Sequence, residues 1–440
     1  MRFLVRFLCV LFVYCAAVPL RAGDSALVLT LDGAVARALE YSVSLQTNRI
    51  TLEDREYAAG RLWALVFPAI SAGADAGYRS SLFTGVRQPV EQRFSYSTSV
   101  GLSLGFTAGL PGRMKLLGLA WERQLLTYED ARRLLEITTA QNFYALIAER
   151  ENLGQLAETL SLAERQLKQH RIGRDNGLIG ETALIQSQLG VETARYELSA
   201  AQAIYSANAG AFLSSLGLSP ETPVELEGEF EVRRVELDAE ELIRDYLPNR
   251  PDIVQQRRAI EEAELTSRQK VLDARSPSVR VSVNWGGGSG TGGITAPFTG
   301  SVSGSVSLSI PINPWIPGTN ESQALRSAES EVKKARLNLK SIENQAAGQI
   351  RSLTANLRNS WESLEIARLR AQVAQQSYEL TERGFLNGAV EALVLETSRK
   401  NLADARYQLL RSEFSYQKLV LDLAQAVNVD WRQFIIRSGP

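Results

Sequence analysis

The chain has 440 residues, enough for two or three domains of ordinary size. Hydrophobic residues make up 45% and charged residues 22%, which excludes global disorder. A formal net charge of −1 leaves no basic footprint for a nucleic acid.

Residues 1–22 read as a signal peptide. Arg2 and Arg6 supply the positive start, Phe7–Leu20 the apolar run, and Leu20-Arg21-Ala22 a cleavage site. The run of 14 residues is too short to cross a bilayer as a helix. Both cysteines, Cys9 and Cys15, fall inside it, so the mature chain is expected to hold no disulfide and no thiolate metal site. No later stretch approaches 18 consecutive apolar residues. An envelope protein without a spanning helix is either periplasmic or a β-barrel.

A helix is expected from about Leu31 to Val66, then strands at about 69–79 and 94–107. In the second strand Ser95, Ser97, Ser99, Gly101, Ser103 and Gly105 alternate with Tyr96, Thr98, Val100, Leu102, Leu104 and Phe106. This period of two gives a strand one apolar and one polar face. Two long helices follow, at about 114–173 and 178–216, and Pro220 and Pro223 mark a linker. Asp238 opens a short capped helix. The pattern then repeats, with a helix at about 252–274, strands near 278–286 and 300–312, and helices at about 320–384 and 389–428. Ser303, Ser305, Ser307 and Ser309 alternate with Gly304, Val306, Leu308 and Ile310 in the last strand.

Punctuation residues align the two halves. Pro68 matches Pro277, Pro111-Gly112 matches Pro317-Gly318, and Gly177 matches Gly388, at offsets of 209, 206 and 211. The expected organisation is therefore a signal peptide (1–22), a first repeat (23–220), a linker (221–240), a second repeat (241–430) and a tail (431–440). The long helices carry coiled-coil spacing, from Val332 through Ala346, Ile350, Leu357 and Leu364 to Tyr378. The steps of four, four and three between Ile342 and Leu353 locally unwind a left-handed supercoil. A helix of roughly 60 residues is roughly 90 Å long, suited to a tube or a spacer.

Open strand edges cannot face lipid, and spanning barrels have at least about eight strands. Four strands per chain therefore require partner chains to close one barrel. Val100, Leu102, Leu104, Val306 and Leu308 are expected to face lipid, and Ser99, Ser103, Ser305 and Ser307 to line a lumen. Trp63, Phe67, Phe106 and Trp315 are expected at one membrane interface, and Tyr78, Phe83, Phe94, Trp285 and Phe298 at the other. The lone histidine, His170, reads as a solvated helix residue, and Arg132, Arg133, Glu149, Arg150 and Glu151 as a solvated face. The glycine clusters at 286–288 and 292–293 lack the Lys-Ser/Thr of a phosphate loop. No catalytic constellation, cofactor site or metal site is expected.

Leu29-Thr30-Leu31-Asp32-Gly33-Ala34, Arg250-Pro251-Asp252-Ile253, Ile310-Pro311-Ile312 with Pro317-Gly318, and Gly177-Leu178-Ile179 with Leu184-Ile185-Gln186-Ser187-Gln188 stand in this order along the chain. In these motifs the chain resembles the TolC-like outer membrane factors of efflux pumps and type I secretion systems. The resemblance implies a mostly α fold with a β-barrel share: a homotrimeric α-barrel tunnel capped by a 12-stranded transmembrane β-barrel in outer membrane lipid, with a long periplasmic extension. It implies a passive exit duct for small molecules or proteins, whose partners are a periplasmic adaptor protein and an inner-membrane transporter. It also implies that the hairpin tips form the entrance and docking site, around Arg174, Asp175, Gly177, Leu178, Glu181, Ala183, Arg383, Gly388, Ala389, Glu391 and Val394. Ala183 and Val394 stand where the family often has an aspartate, so the gate is expected to rely on apolar contact and flanking charges. A periplasmic coiled-coil adaptor and a structural envelope spacer are the alternatives.

Overall fold

The computed structural model describes residues 27–78, 94–177, 180–228, 232–289 and 297–430. The expected signal peptide, Phe83, Leu178 and the tail after 430 lie outside them. Strand β1 (Leu27–Thr30) leads into α1 (Leu31–Tyr41), capped by Thr30, whose Oγ1 accepts the Gly33 N–H at 3.2 Å. The single helix expected to Val66 is broken. Ser42 leaves the helical conformation at ψ 115°, and its Oγ accepts the Leu45 N–H at 3.3 Å to start α2 (Val43–Gly60). A 3₁₀ turn at Leu62–Val66 then delivers the chain to the sheet.

The strands β2 (Ala69–Tyr78) and β3 (Phe94–Phe106) precede α3 (Leu110–Asp175) and α4 (Glu181–Ser215). After β4 (Val224–Glu227) and α5 (Ala239–Tyr246), the order recurs as α6 (Pro251–Arg275), β5 (Ser278–Gly288), β6 (Thr299–Ser309), α7 (Asn320–Leu386) and α8 (Ala392–Val427). The helices α3 and α7, of 66 and 67 residues, are each about 100 Å long at ~1.5 Å per residue. Each folds back on its successor, so α3/α4 and α7/α8 are two long hairpins, and α3 packs beside α8 to join them.

Every residue of the α7 seam from Val332 to Tyr378 read from its spacing is buried or half-buried in the single chain. Ala346, Ile350, Leu357, Leu364, Ala367 and Ala371 form its buried centre. The α3 start shows why a glycine stands there: a Cβ on Gly109 would lie 2.2 Å from Asp273 Oδ1 on α6, whose other oxygen pairs with Arg113 at 2.8 Å.

Two compact knots lie midway along the molecule. In one, Leu29, Ala34 and Ala38 pack on Phe143, Ile147, Phe212 and Leu226. In the other, Leu242 packs on Ile350, Leu357, Tyr416 and Val420. The first knot includes a two-stranded parallel sheet that the sequence reading did not anticipate, β1 against β4, with Leu29 opposite Leu226. Residues placed in the linker thus belong to the core. Tyr416 fastens the rest of that segment, its hydroxyl accepting the Val235 N–H at 2.9 Å and donating to the Arg233 carbonyl at 3.0 Å. Arg150 is likewise no solvated residue, since it donates to the Leu226 carbonyl, and Glu149 accepts from Asn208 at 2.6 Å. Arg133 donates to the Asn428 side chain, whereas Arg132 remains an exposed partner of Glu136.

Candidate functional site

The four long strands form one antiparallel sheet in the order β2-β3-β5-β6. The register lines up one face across all four strands. Ile70 lies opposite Leu102 and Leu102 opposite Val283; Leu104 lies opposite Val281 and Val281 opposite Val306; Phe106 lies opposite Val279 and Val279 opposite Leu308. The alternate positions pair Gly73 with Ser99, Ser103 with Ser282, Ser282 with Ser305, and Arg280 with Ser307. The polar face is knitted by hydroxyls, as where the Ser282 and Ser305 oxygens lie 2.8 Å apart. Five residues expected at lipid thus share one face, and four expected at a lumen share the other. The apolar face is open in the single chain: Val306 is 74% exposed and Leu308 64%. Among the described residues β2 and β6 present unpaired outer edges. Trp285 departs from its expected place at a strand end, because the register sets it opposite Val100, in the middle of β3. Trp63 and Phe67 meet edge-on at 5.6 Å and Trp315 lies under Arg275 at 4.8 Å, all three more than half exposed beside the strand ends.

At the far end of the helices the chain reverses twice through Asn-Gly. Gly177 has φ 72° and Gly388 φ 73°, the left-handed conformation that closes a helix and that a side chain resists. The N–H of Gly177 bonds to the Arg174 carbonyl at 2.8 Å, and that of Ala389 reaches back to the Gly384 carbonyl at 2.9 Å. The flanking charges differ between the tips. Arg174 pairs with Asp175 at 2.9 Å and stands 3.8 Å from Glu181, and the Asp175 carboxylate raises the guanidinium above its ordinary value. Arg383 and Glu391 are exposed and make no ion pair among the described residues. The expected charge cluster is therefore realised within the chain at the first tip and left open at the second. Ala183 lends its carbonyl to the Ser187 hydroxyl, and Val394 is half exposed.

Between the hairpins lie residues that the sequence reading passed over. Arg399 on α8 is nearly buried, donates to the Thr159 carbonyl of α3 at 2.9 Å, and pairs with Glu396 at 2.8 Å. Arg406, two turns on, meets Glu158 of α3 at 2.9 Å and Gln375 of α7 at 2.9 Å. On α7 the Tyr378 hydroxyl donates to Glu382 at 3.0 Å; burial, reinforced by that carboxylate, pushes it up to about 12. A lone arginine in a charged helix carries no sign of such a role in sequence. His170 corrects an expectation more sharply. It is 1% exposed, not solvated, with Nδ1 against the Ser187 hydroxyl of α4 and its ring beside Phe385 of α7 at 6.3 Å. Its helix face points into the seam between α3, α4 and α7, a placement that Lys168 and Arg171 on either side disguise.

No helix among the described residues is long and apolar enough to cross a membrane, and none of their acidic, histidine or cysteine groupings could hold a metal ion. Residues 242–429 match the family model described as outer membrane efflux protein. The toluene efflux pump outer membrane protein TtgC of Pseudomonas putida is 24% identical over 413 residues, spanning 88% of this chain and 82% of that protein. The antibiotic efflux pump outer membrane protein ArpC of Pseudomonas putida is 25% identical over the same span. The chain also superposes on the CmeC outer membrane channel of Campylobacter jejuni with a TM-score of 0.72 at 17% identity, covering 93% of this chain and 89% of that one. The chain resembles the TolC-like outer membrane factors, through its second half in the family model and through nearly its whole length in fold. The open state of the MtrE channel of Neisseria gonorrhoeae has the same fold, with a TM-score of 0.66 at 18% identity over 91% of this chain. The protein is an outer membrane efflux channel with a periplasmic tunnel. The family is one of channel proteins.

Proposed function

We propose that three copies of the chain close into one duct, with twelve strands in the membrane and the α3/α4 and α7/α8 hairpins of all three forming the periplasmic tunnel. One observation carries the reading: a four-stranded sheet whose apolar face is largely exposed, from Ile70 and Leu102 to Val306 and Leu308, and whose β2 and β6 edges are unpaired among the described residues. In lipid each unsatisfied backbone group costs several kcal/mol, so those edges must be closed by another chain. Pairing β6 of one copy with β2 of the next removes every edge at once. The apolar stripes of Ile70, Leu102, Val283 and Val306 then form an outer belt, and the serines and glycines line the bore.

In this reading the tips around Gly177 and Gly388 are the entrance, where a periplasmic adaptor and an inner-membrane transporter dock. Energy comes from the transporter. The relatives named for toluene and antibiotic efflux support small organic molecules as cargo. A lumen face made mostly of serines and glycines, with Asp75, Arg280 and Asn284 among them, supports passive transit, since it offers no enclosed binding pocket. The test is reconstitution of the purified protein in a planar bilayer, with its mass measured in detergent. Trimer mass with discrete ion-conducting steps supports the duct; a monomer without conductance overturns it.

A further inference from the structure

A sheet face built from serine and glycine leaves any larger side chain conspicuous. Among the residues of β2, β3, β5 and β6, Asp75 and Arg280 alone carry charge. The register puts both on the face of Ser99, Ser103, Ser305 and Ser307. Arg280 lies between Gly105 on β3 and Ser307 on β6, and Asp75 lies opposite Ser97. Gly73 and Gly77 flank Asp75 on the same face of its strand, and Ser278 and Ser282 flank Arg280. Each charged group therefore stands above a low wall. Both residues are exposed, and neither makes an ion pair among the described residues. Pairing between copies supplies no counter-ion either. The strand that would meet β2 of the next copy is β6, and it holds only Thr, Gly, Ser, Val and Leu.

The two charges stand at different depths. Their partners on β3 are Gly105 and Ser97, eight residues apart, about 27 Å along the strand at ~3.4 Å per residue. Arg280 is the third residue of β5 after α6, at the end of the sheet where the helices leave, and Asp75 lies toward the opposite end. In the three-copy barrel, on which this inference rests, each becomes a ring of three. Twelve strands ~4.8 Å apart and tilted ~40° have a circumference of about 75 Å and a radius of about 12 Å. The Debye length is ~30 Å at 0.01 M salt, so at low salt the field of each ring fills the bore; at ~8 Å in 0.15 M salt the two rings are too far apart to cancel. We propose that Arg280 and Asp75 set the charge selectivity of the bore, with a positive ring where the tunnel enters the membrane and a negative ring toward the outer mouth. A small cation meets its barrier at Arg280 and a small anion at Asp75. A neutral molecule meets neither. The bore therefore favours uncharged cargo and slows the back-leak of ions of both signs.

The test is the reversal potential of single channels of the full chain, read at their open level in a planar bilayer, with about 0.02 M KCl on one side and about 0.2 M on the other. Arg280→Ser should raise the permeability of potassium relative to chloride about threefold, and Asp75→Ser should lower it about threefold. The double variant Arg280→Ser/Asp75→Ser should return to the parent ratio, and Arg280→Lys, which keeps the charge, should not leave it. All shifts should vanish when both solutions exceed about 1 M, where the Debye length is ~3 Å. Heat-modifiable gel migration verifies that each variant assembles. Serine variants that assemble and conduct with the parent ratio, or that shift it in the same direction, would overturn the assignment while leaving the duct intact. A parent chain that forms no conducting trimer would overturn the duct itself and this inference with it.

Discussion

Replacing Arg399 by alanine should loosen the packing of the two hairpins against each other far more than replacing Arg406, although both arginines cross from α8 to α3. The Arg399 side chain is 11% exposed and donates to a backbone carbonyl, that of Thr159. Loss of a hydrogen bond made by a charged group costs about 1.5–3 kcal/mol, and the alanine variant also strands the Glu396 carboxylate. The Arg406–Glu158 pair is 36% and 54% exposed, and such pairs are worth only about 0–1 kcal/mol. At about 1.4 kcal/mol per tenfold, Arg399→Ala shifts the balance between braced and splayed hairpins about ten- to a hundredfold per chain, Arg406→Ala about fivefold or less. Glu396→Gln is the control. Glu396 shares a helix with Arg399, and its loss leaves the bond to Thr159 in place. The assay is basal open probability of single channels in a planar bilayer, without any partner protein. Arg399→Ala should conduct most, with Arg406→Ala and Glu396→Gln close to the parent. An Arg406→Ala channel that opens as readily as Arg399→Ala would refute the burial argument, and a silent Arg399→Ala channel would refute the brace.

Three further outcomes follow from the same geometry. Leu102→Arg places a charge on the apolar face at about 2–4 kcal/mol per copy and should block membrane assembly, while Ser103→Arg should assemble and change conductance; heat-modifiable gel migration reads the first and bilayer recording the second, and equal assembly of both would reverse the facing. Gly388→Val meets open space but a φ of 73°, so its cost of about 1–2 kcal/mol is confined to the backbone of the tip; export should fail with insertion intact, and normal export would remove the tip from the mechanism. Burial raises the Glu413 carboxyl above its ordinary value, with Arg368 only partly opposing, so its ionisation weakens the native fold at neutral pH. Glu413→Gln should therefore raise the melting temperature at pH 7, and the gain should shrink as pH falls toward the ordinary carboxylate range, where the parent residue is protonated in both states.

Much of this architecture was legible because its signals are local and periodic. Strand alternation shows at once which of Ser103 and Leu102 faces which way, and pairing only had to bring like faces together. The tips were legible because a left-handed helix end selects glycine. Signals of only a few residues were not. Ser42 breaks a helix with one hydroxyl, and β1 and β4 are four-residue strands, too short for a period to emerge, that meet only because the fold brings residues 27 and 224 together. His170 and Arg399 were missed for a different reason. Both are flanked by charged residues, and which face of a 66- or 36-residue helix is buried depends on neighbours that sequence spacing does not identify.

The sheet order sets how such a duct can be put together. Strands β3 and β5 belong to different repeats yet pair within one molecule, so that seam forms at the high effective concentration of a tether and owes nothing to protein concentration. In the proposed trimer only every second seam between hairpins is left to collision. Until the ring shuts, each molecule carries two bare strand edges and an unshielded apolar wall, the combination most prone to pairing with the wrong neighbour. Fusing two hairpins in one chain thus halves the number of dangerous encounters on the way to a closed barrel.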